Sequence, residues 1–300
     1  MIALAAMLMA AEAFSAPLNL PKPARVDMRV EYHRENIRSG RTETTDASAT
    51  YEKTVEPAAS GYRVQRRLVE AKIASPPGGG TKLQTAFERA TRRSVVYLAD
   101  KNLNPRTVED WSGVAAEMRA DLLKTADMTQ DEAASLGAFA DNVARMDAAQ
   151  ATYVVARDDR ILTIPVNQAL KRGKPLHFVD ALPNPFGGMP IKSNGDLALE
   201  KTDAARGVDI VRWSQSLDPV EAAKSISQAL STMMGNDAEA RALLAQLKFD
   251  SSTDCLFEVD TRYGLPVKAD CTMRMTTFDP VARQNLFRNE RWVITQTLKN

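Results

Sequence analysis

Cys255-Leu256-Phe257-Glu258-Val259-Asp260-Thr261-Arg262-Tyr263-Gly264-Leu265-Pro266-Val267-Lys268-Ala269-Asp270-Cys271 reads as two alternating stretches around a Gly-containing turn. Apolar residues recur at every second position on both sides of that turn, the pattern of half-buried strands in a hairpin. Centring the hairpin on Tyr263 sets Val259 against Val267, Phe257 against Ala269 and Cys255 against Cys271, all on one apolar side. On the other side Glu258 meets Lys268, an opposite-charge cross-strand pair. Directly opposed residues of antiparallel strands bring their Cα atoms to about 4.5–5.5 Å, within reach of a disulfide. Cys255 and Cys271 are the only cysteines of the chain. A cross-strand bridge between them is expected, and an oxidising compartment would preserve it. Two separate buried thiols are the alternative.

Outward from the hairpin the β pattern extends to both ends. Trp292 to Leu298 alternates as a final strand, and Val26, Met28, Val30 and Tyr32 alternate with polar residues as a first one. Tyr51–Val55 and Tyr62–Ile73 follow, turning at Ser60-Gly61, then Ser94–Leu98 after the Pro76–Gly80 loop. Short connections predict an antiparallel meander for this first third. The middle is helical. Trp111, Ala115, Met118 and Leu122 follow a helical period on a segment opened by Thr107, after a turn at Lys101–Pro105. Thr129-Gln130-Asp131-Glu132 forms a capping box ahead of Leu136, Phe139, Val143 and Met146. Asp158-Asp159 suggests a break, and Pro165 a further short helix. The Pro/Gly-rich Leu182–Pro190 reads as loop, and Leu197–Glu200 and Val208–Ser216 as strands. Asp218-Pro219-Val220-Glu221 starts a helix with Asp as cap and Pro at its first position. Its buried face is expected to carry Val220, Ala223, Ile226, Leu230 and Met233, and Asn236 to cap a second helix. Without a helical crossover between successive strands, a doubly wound parallel sheet is excluded. The expected fold class is α+β: a curved antiparallel sheet, an unclosed barrel, packed against inserted helices.

The chain has 300 residues, 39 Lys plus Arg and 38 Asp plus Glu, a formal charge of +1. Such a balance gives no basic face for nucleic acid. Ile2–Ala10 is an apolar run followed by Ala11-Glu12-Ala13 and Phe14-Ser15-Ala16-Pro17, which suits a signal peptidase. The run is shorter than the roughly 20 residues of a membrane-spanning helix. No Lys or Arg precedes it, and a buried N-terminal helix is the alternative. The expectation is a signal peptide over 1–16 and one mature domain over 17–300, with helical insertions at about 107–172 and 219–247. The mature chain is then periplasmic or secreted, without a transmembrane span.

Two stretches carry a resemblance. Asp260-Thr261-Arg262-Tyr263-Gly264-Leu265-Pro266-Val267 is similar to an Asp-x-x-x-Gly-x-Pro turn of secreted bacterial β-rich proteins. Ala181-Leu182-Pro183-Asn184-Pro185-Phe186-Gly187-Gly188 looks like a segment of uncharacterised periplasmic proteins. Some exported families with such turns resemble the outer-membrane lipoprotein carriers, in which an unclosed antiparallel barrel wraps around helices. The resemblance covers a small part of the chain and implies a cavity for a hydrophobic ligand by analogy of fold alone. It carries no catalytic residues.

Motifs of chemistry are missing: no Gly-x-Ser-x-Gly, Ser-x-x-Lys, His-Glu-x-x-His or Cys-x-x-Cys occurs. Gly78-Gly79-Gly80-Thr81-Lys82 lacks the spacing of a phosphate-binding loop. His33 and His177 are the only histidines, too few for a multi-histidine metal cage. His33 falls on the polar phase of its strand, while His177, beside Phe178, is the better site candidate of the two. No catalytic residue, metal or cofactor is therefore expected. An unclosed sheet over helices either fills its concave face or leaves an apolar cleft. Methionines suit an adaptable apolar lining, and the candidate ligand-binding residues are Met118, Met146, Met273, Met275 and Phe186. The leading expectation is an exported, non-catalytic protein binding a lipid, the acyl chain of a lipoprotein or another apolar ligand. The alternative is a structural or adaptor protein of the cell envelope that contacts an envelope protein through the Pro183–Pro190 loop.

Overall fold

A computed structural model describes residues 15–38, 40–74, 92–124, 129–182, 191–234, 249–279 and 283–299. Phe186 with its loop, the Gly78–Gly80 stretch and the helix expected after Asn236 lie outside the described residues.

The strands are β1 (Ala24–Arg38), β2 (Arg41–Ala58), β3 (Gly61–Ala74), β4 (Ser94–Ala99), β5 (Pro105–Val108), β6 (Leu176–Leu182), β7 (Ile191–Asp203), β8 (Val208–Leu217), β9 (Phe249–Asp260), β10 (Pro266–Asp279) and β11 (Gln284–Lys299). All eleven form one antiparallel sheet in the order β5-β4-β3-β2-β1-β11-β10-β9-β8-β7-β6. Two meanders thus meet where the first strand pairs with the last, and β5 and β6 are edges, so the sheet is not closed. The helices among the described residues are α1 (Trp111–Leu123), α2 (Gln130–Arg145), α3 (Ala148–Val155), α4 (Arg157–Leu162) and α5 (Pro219–Met234).

Strand alternation divides the sheet into two chemically different faces. One cross-strand row runs Leu176–Leu197–Trp213–Cys255–Cys271–Trp292–Tyr32 over seven strands. The row beside it, one residue further along, runs His177–Asp196–Ser214–Asp254–Thr272–Arg291–His33–Asp46 on the opposite face. Among the described residues the helices lie against the apolar face. Trp111 and Ala115 of α1 pack with Val55, Val64 and Tyr97, Leu162 and Leu170 pack with Phe257 and Trp292, and Ala222 and Ile226 of α5 pack with Ile191.

The central hairpin has the expected register at Cys255–Cys271, Phe257–Ala269 and Glu258–Lys268. Beyond Lys268 the register shifts, and Val259 faces Pro266 instead of Val267. The turn causes this. Asp260 accepts backbone hydrogen bonds from Arg262 and Tyr263 on Oδ1, Gly264 (φ +61°) donates to the Asp260 carbonyl, and the chain closes from Asp260 N to Leu265 O. That closure shortens the loop by a residue, and Pro266, without an N–H, sits at the resulting bulge. The cysteine sulfurs are 2.01 Å apart, a disulfide. With 16 residues of separation, replacing both cysteines by Ala is expected to cost about 3 kcal/mol. Urea unfolding of that variant, set beside the oxidised parent, measures it.

Other expectations are corrected. Lys101–Pro105 leads into β5 rather than straight into a helix, and α1 begins at Trp111, capped by Asp110, whose side chain accepts from Gly113 N, rather than at Thr107. The break suggested by Asp158-Asp159 falls two residues earlier, at Ala156 between α3 and α4, and the two acids fill the first turn of α4, where acidic groups complement the helix dipole. Pro165 lies in a turn and opens no helix. Leu176–Leu182, for which the sequence reading assigns no element, is an edge strand. In α5 the Asp218 cap, accepting from Val220 N and Glu221 N, and the burial of Ile226 are as expected, but Val220 is 73% exposed and Ala222 is buried in place of Ala223; the side chains of Leu230 and Met233 lie outside the described ones.

Candidate ligand-binding face

The short helix α4 is fixed to the sheet by charge. Lys53 on β2 and Arg66 on β3 sit on the core phase of their strands, and both are buried. Between them lies Asp159, also buried, accepting from Lys53 Nζ at 2.8 Å and from Arg66 Nη1 at 3.0 Å. Arg66 also donates to the Val155 carbonyl at 2.7 Å and to Asp158 at 3.1 Å, and its guanidinium lies 3.6 Å from the centre of the Tyr51 ring. Lys53 donates a second bond to Gln296 Oε1 of β11 at 2.8 Å. Every shift in this group moves ionisation away from neutrality. Burial, then Asp159, pushes the Tyr97 phenol well up, and burial likewise raises Tyr51. Burial opposes the charged forms of Asp159 and Arg66, but their mutual attraction prevails, lowering the carboxyl and raising the guanidinium. The cluster therefore pins α4 to the sheet through compensated charges.

On either side of the pinned segment the apolar face is indented. The first cleft, about 360 Å³, lies between β2–β4 and the helices, with Leu68 and Val95 on the sheet side and Trp111, Met118, Phe139, Val143, Met146 and Val154 on the other. The second, about 480 Å³, lies over Trp213, the disulfide, Met273 and Trp292, with Leu176 and Phe178 toward the β6 edge and Arg157, Arg160 and Ile161 above. Both volumes fall within the roughly 300–1,000 Å³ of small-molecule sites. Gly195 beneath Phe178 has a specific reason: a Cβ there would overlap the Phe178 ring.

Arg157 lines both clefts. Its guanidinium stands 4.6 Å from the centre of the Trp292 ring, and Trp292 in turn meets Tyr32 at 5.8 Å between centroids. Below it Glu290 is buried, paired with Arg288 through Oε1, while its Oε2 takes no hydrogen bond and lies 3.6 Å from Arg157. Burial first, then Glu290, pushes the Tyr32 phenol up.

The structure thus brings Met118 and Met146 together in the first cleft and places Met273 in the second. Met275 is on the same strand face as Met273, opposite Ser251 and Arg288, outside both linings. His177 pairs with Asp196 on the opposite, solvent face, and His33 with Asp46 at 2.7 Å. In that row Asp196 stands between His177 and Ser214, so the serine is next to the carboxylate rather than the imidazole, the reverse of a nucleophile–base arrangement. Among the described residues no group of three or more His, Cys, Asp or Glu is placed to hold a metal ion, and no helix is long and apolar enough to cross a membrane. Arg157 and the aromatic row were missed in the sequence. The row had a signal, because the cystine register carries Trp213 and Trp292 onto the cystine's own face; Arg157 had none.

No family model and no curated protein matches the chain. Among solved structures, one of lipovitellin, titled for its lipid–protein interactions, is similar at 8% identity and a TM-score of 0.45, over 94% of this chain and 25% of that one. This chain therefore spans a quarter of the length of that protein. DynF of the dynemicin biosynthesis pathway of Micromonospora chersina is similar at 10% identity and a TM-score of 0.23, over 95% and 86% of the two chains. Both scores are low, and the functional reading rests on the geometry alone.

Proposed function

We propose that this is an exported, non-catalytic protein that holds a lipid or other apolar ligand on the helix-covered, concave face of a curved sheet. One observation carries the reading: two apolar clefts of ligand size flank the α3–α4 segment on the same sheet face. Lone exposed apolar residues are ordinary, whereas contiguous indented ones mark binding sites. Two features support export: the apolar leader ending in Ala11-Glu12-Ala13, and the buried cystine, a bond that persists outside a reducing cytosol. The absence of acid–base or nucleophile geometry at the clefts, among the described residues, supports a binding role.

N-phenyl-1-naphthylamine, a neutral apolar probe whose fluorescence rises out of water, tests the reading. Added to delipidated mature protein it is expected to give a saturable signal. Met118→Trp fills the first cleft with an added ring and is expected to lower that signal while circular dichroism stays unchanged. A parent protein that gives no saturable signal sinks the proposal.

A further inference from the structure

Arg157 has an unusual situation for a cation beside apolar clefts. Its contact with Glu290, at 3.6 Å, is longer than a hydrogen bond, and no hydrogen bond within the described residues uses its guanidinium N–H groups. The guanidinium lies over the Trp292 ring, 4.6 Å from its centre, with Nη2 toward Glu290 Oε2. A planar fork of this kind is suited to a phosphate or carboxylate, which it grips with two parallel bonds. Arg160, one helical turn on, lines the second cleft and lies over the Tyr153 ring at 5.2 Å, its side chain's one partner among the described residues. Arg157 and Arg160 both line the second cleft, while the buried Glu290 beneath Arg157 is paired with Arg288 and faces Arg34 across β1–β11. The cleft walls also carry two acids, Asp158, held by Arg66, and Asp180 toward the β6 edge.

We infer that the two clefts take the two acyl chains of one lipid, whose anionic phosphate headgroup docks on Arg157 with Arg160 beside it. This rests on the reading of the face as a ligand site and adds the class of ligand. Two clefts of comparable size, about 360 and 480 Å³, meet at Arg157, whose N–H groups make no hydrogen bond within the described residues. Two chains and one anion match that layout, whereas a single-chain fatty acid would leave one cleft unfilled. A zwitterionic head would bring its own cation against the guanidinium groups of Arg157 and Arg160.

Delipidated mature protein incubated with vesicles of palmitoyl-oleoyl phosphatidylglycerol, or of phosphatidylcholine with the same chains, separates the possibilities when bound lipid is counted by native mass spectrometry. One phosphatidylglycerol per protein is expected, with phosphatidylcholine retained about tenfold less, the worth of one charge-assisted contact. Arg157→Gln should bring the two lipids to parity, and Arg157→Lys, which keeps the charge but loses the fork, should fall between. Met118→Trp should lose phosphatidylglycerol yet keep its single-chain lyso form. Equal retention of both lipids by the parent, with the naphthylamine probe still bound, overturns the headgroup assignment and leaves the apolar site standing. Undiminished phosphatidylglycerol on Met118→Trp overturns the two-cleft placement. Binding of neither lipid nor probe removes both proposals.

Discussion

Asp159→Ala is expected to lower stability by about 3–5 kcal/mol, because it strands two buried cations whose compensation it supplies. Lys53 and Arg66 are each bonded to its carboxylate, and each is nearly inaccessible to water. Removing both cations as well, in a Lys53→Met, Arg66→Met, Asp159→Leu protein, should recover most of that loss, since apolar groups of similar volume need no partner. A triple variant no more stable than the single one would show that the carboxylate works through packing instead. The pH dependence has a definite sign. Burial alone would raise the Asp159 carboxyl, but the charges of Lys53 and Arg66, with hydrogen bonds from Lys53 and Tyr97, hold it below the ordinary value of 3.8. A depressed folded-state pKa gives stability that is complete above the unfolded value and lost as pH falls through the folded one. Urea midpoints should therefore drop below about pH 4, and Asp159→Asn should remove that part of the drop while already being less stable at neutral pH.

This network also shows what a sequence can and cannot announce. Val64-Gln65-Arg66-Arg67-Leu68 places Arg66 on the same phase as Val64 and Leu68, and a charge on a core phase demands a buried partner. The demand is readable from the strand alone. Asp159 is not, because it is 93 residues away on a helix six residues long. Two adjacent acids point to a break nearby and say nothing of the cations that neutralise them. The cystine hairpin was legible for the opposite reason: its partners are close in sequence, and period-two patterning plus one covalent bond fix the register. Its error was confined to the turn, where backbone hydrogen bonding to Asp260, invisible to alternation, took up a residue. The β6 edge was obscured because Leu176–Leu182 has one sheet neighbour, and the Pro/Gly run beginning at Pro183 dominates its local composition. Val220 followed the helical period but falls in the first turn of α5, where the helix does not yet meet β7; Ala222 and Ile226 make that contact. Met118, Met146 and Met273 entered the candidate set by chemical softness alone, and long-range sheet pairing decided which cleft each one lines.

Trp292→Ala is expected to lower stability by about 3–5 kcal/mol and to abolish the preference for an anionic lipid in the same step. The indole is 4% exposed and lies in the row between Cys271 and Tyr32, so truncation leaves a hole in the middle of the sheet face where neighbouring strands cannot close in. It also removes the ring that holds Arg157 over the junction of the clefts. The two effects are separable. Arg157→Gln removes the cation and keeps the ring; Arg157 is half exposed, so its stacking adds only about 0.5–1 kcal/mol and the variant should melt near the parent while losing lipid discrimination. Trp292→Phe keeps an aromatic surface and should regain much of the stability, with weaker discrimination, since phenyl faces attract cations less than indole does. Urea unfolding and the paired-lipid count report the two quantities independently. If Trp292→Ala stays within about 1 kcal/mol of the parent, the row is not packed as described; if it retains the lipid preference, Arg157 does not need its ring, and the headgroup site is held by the helix alone.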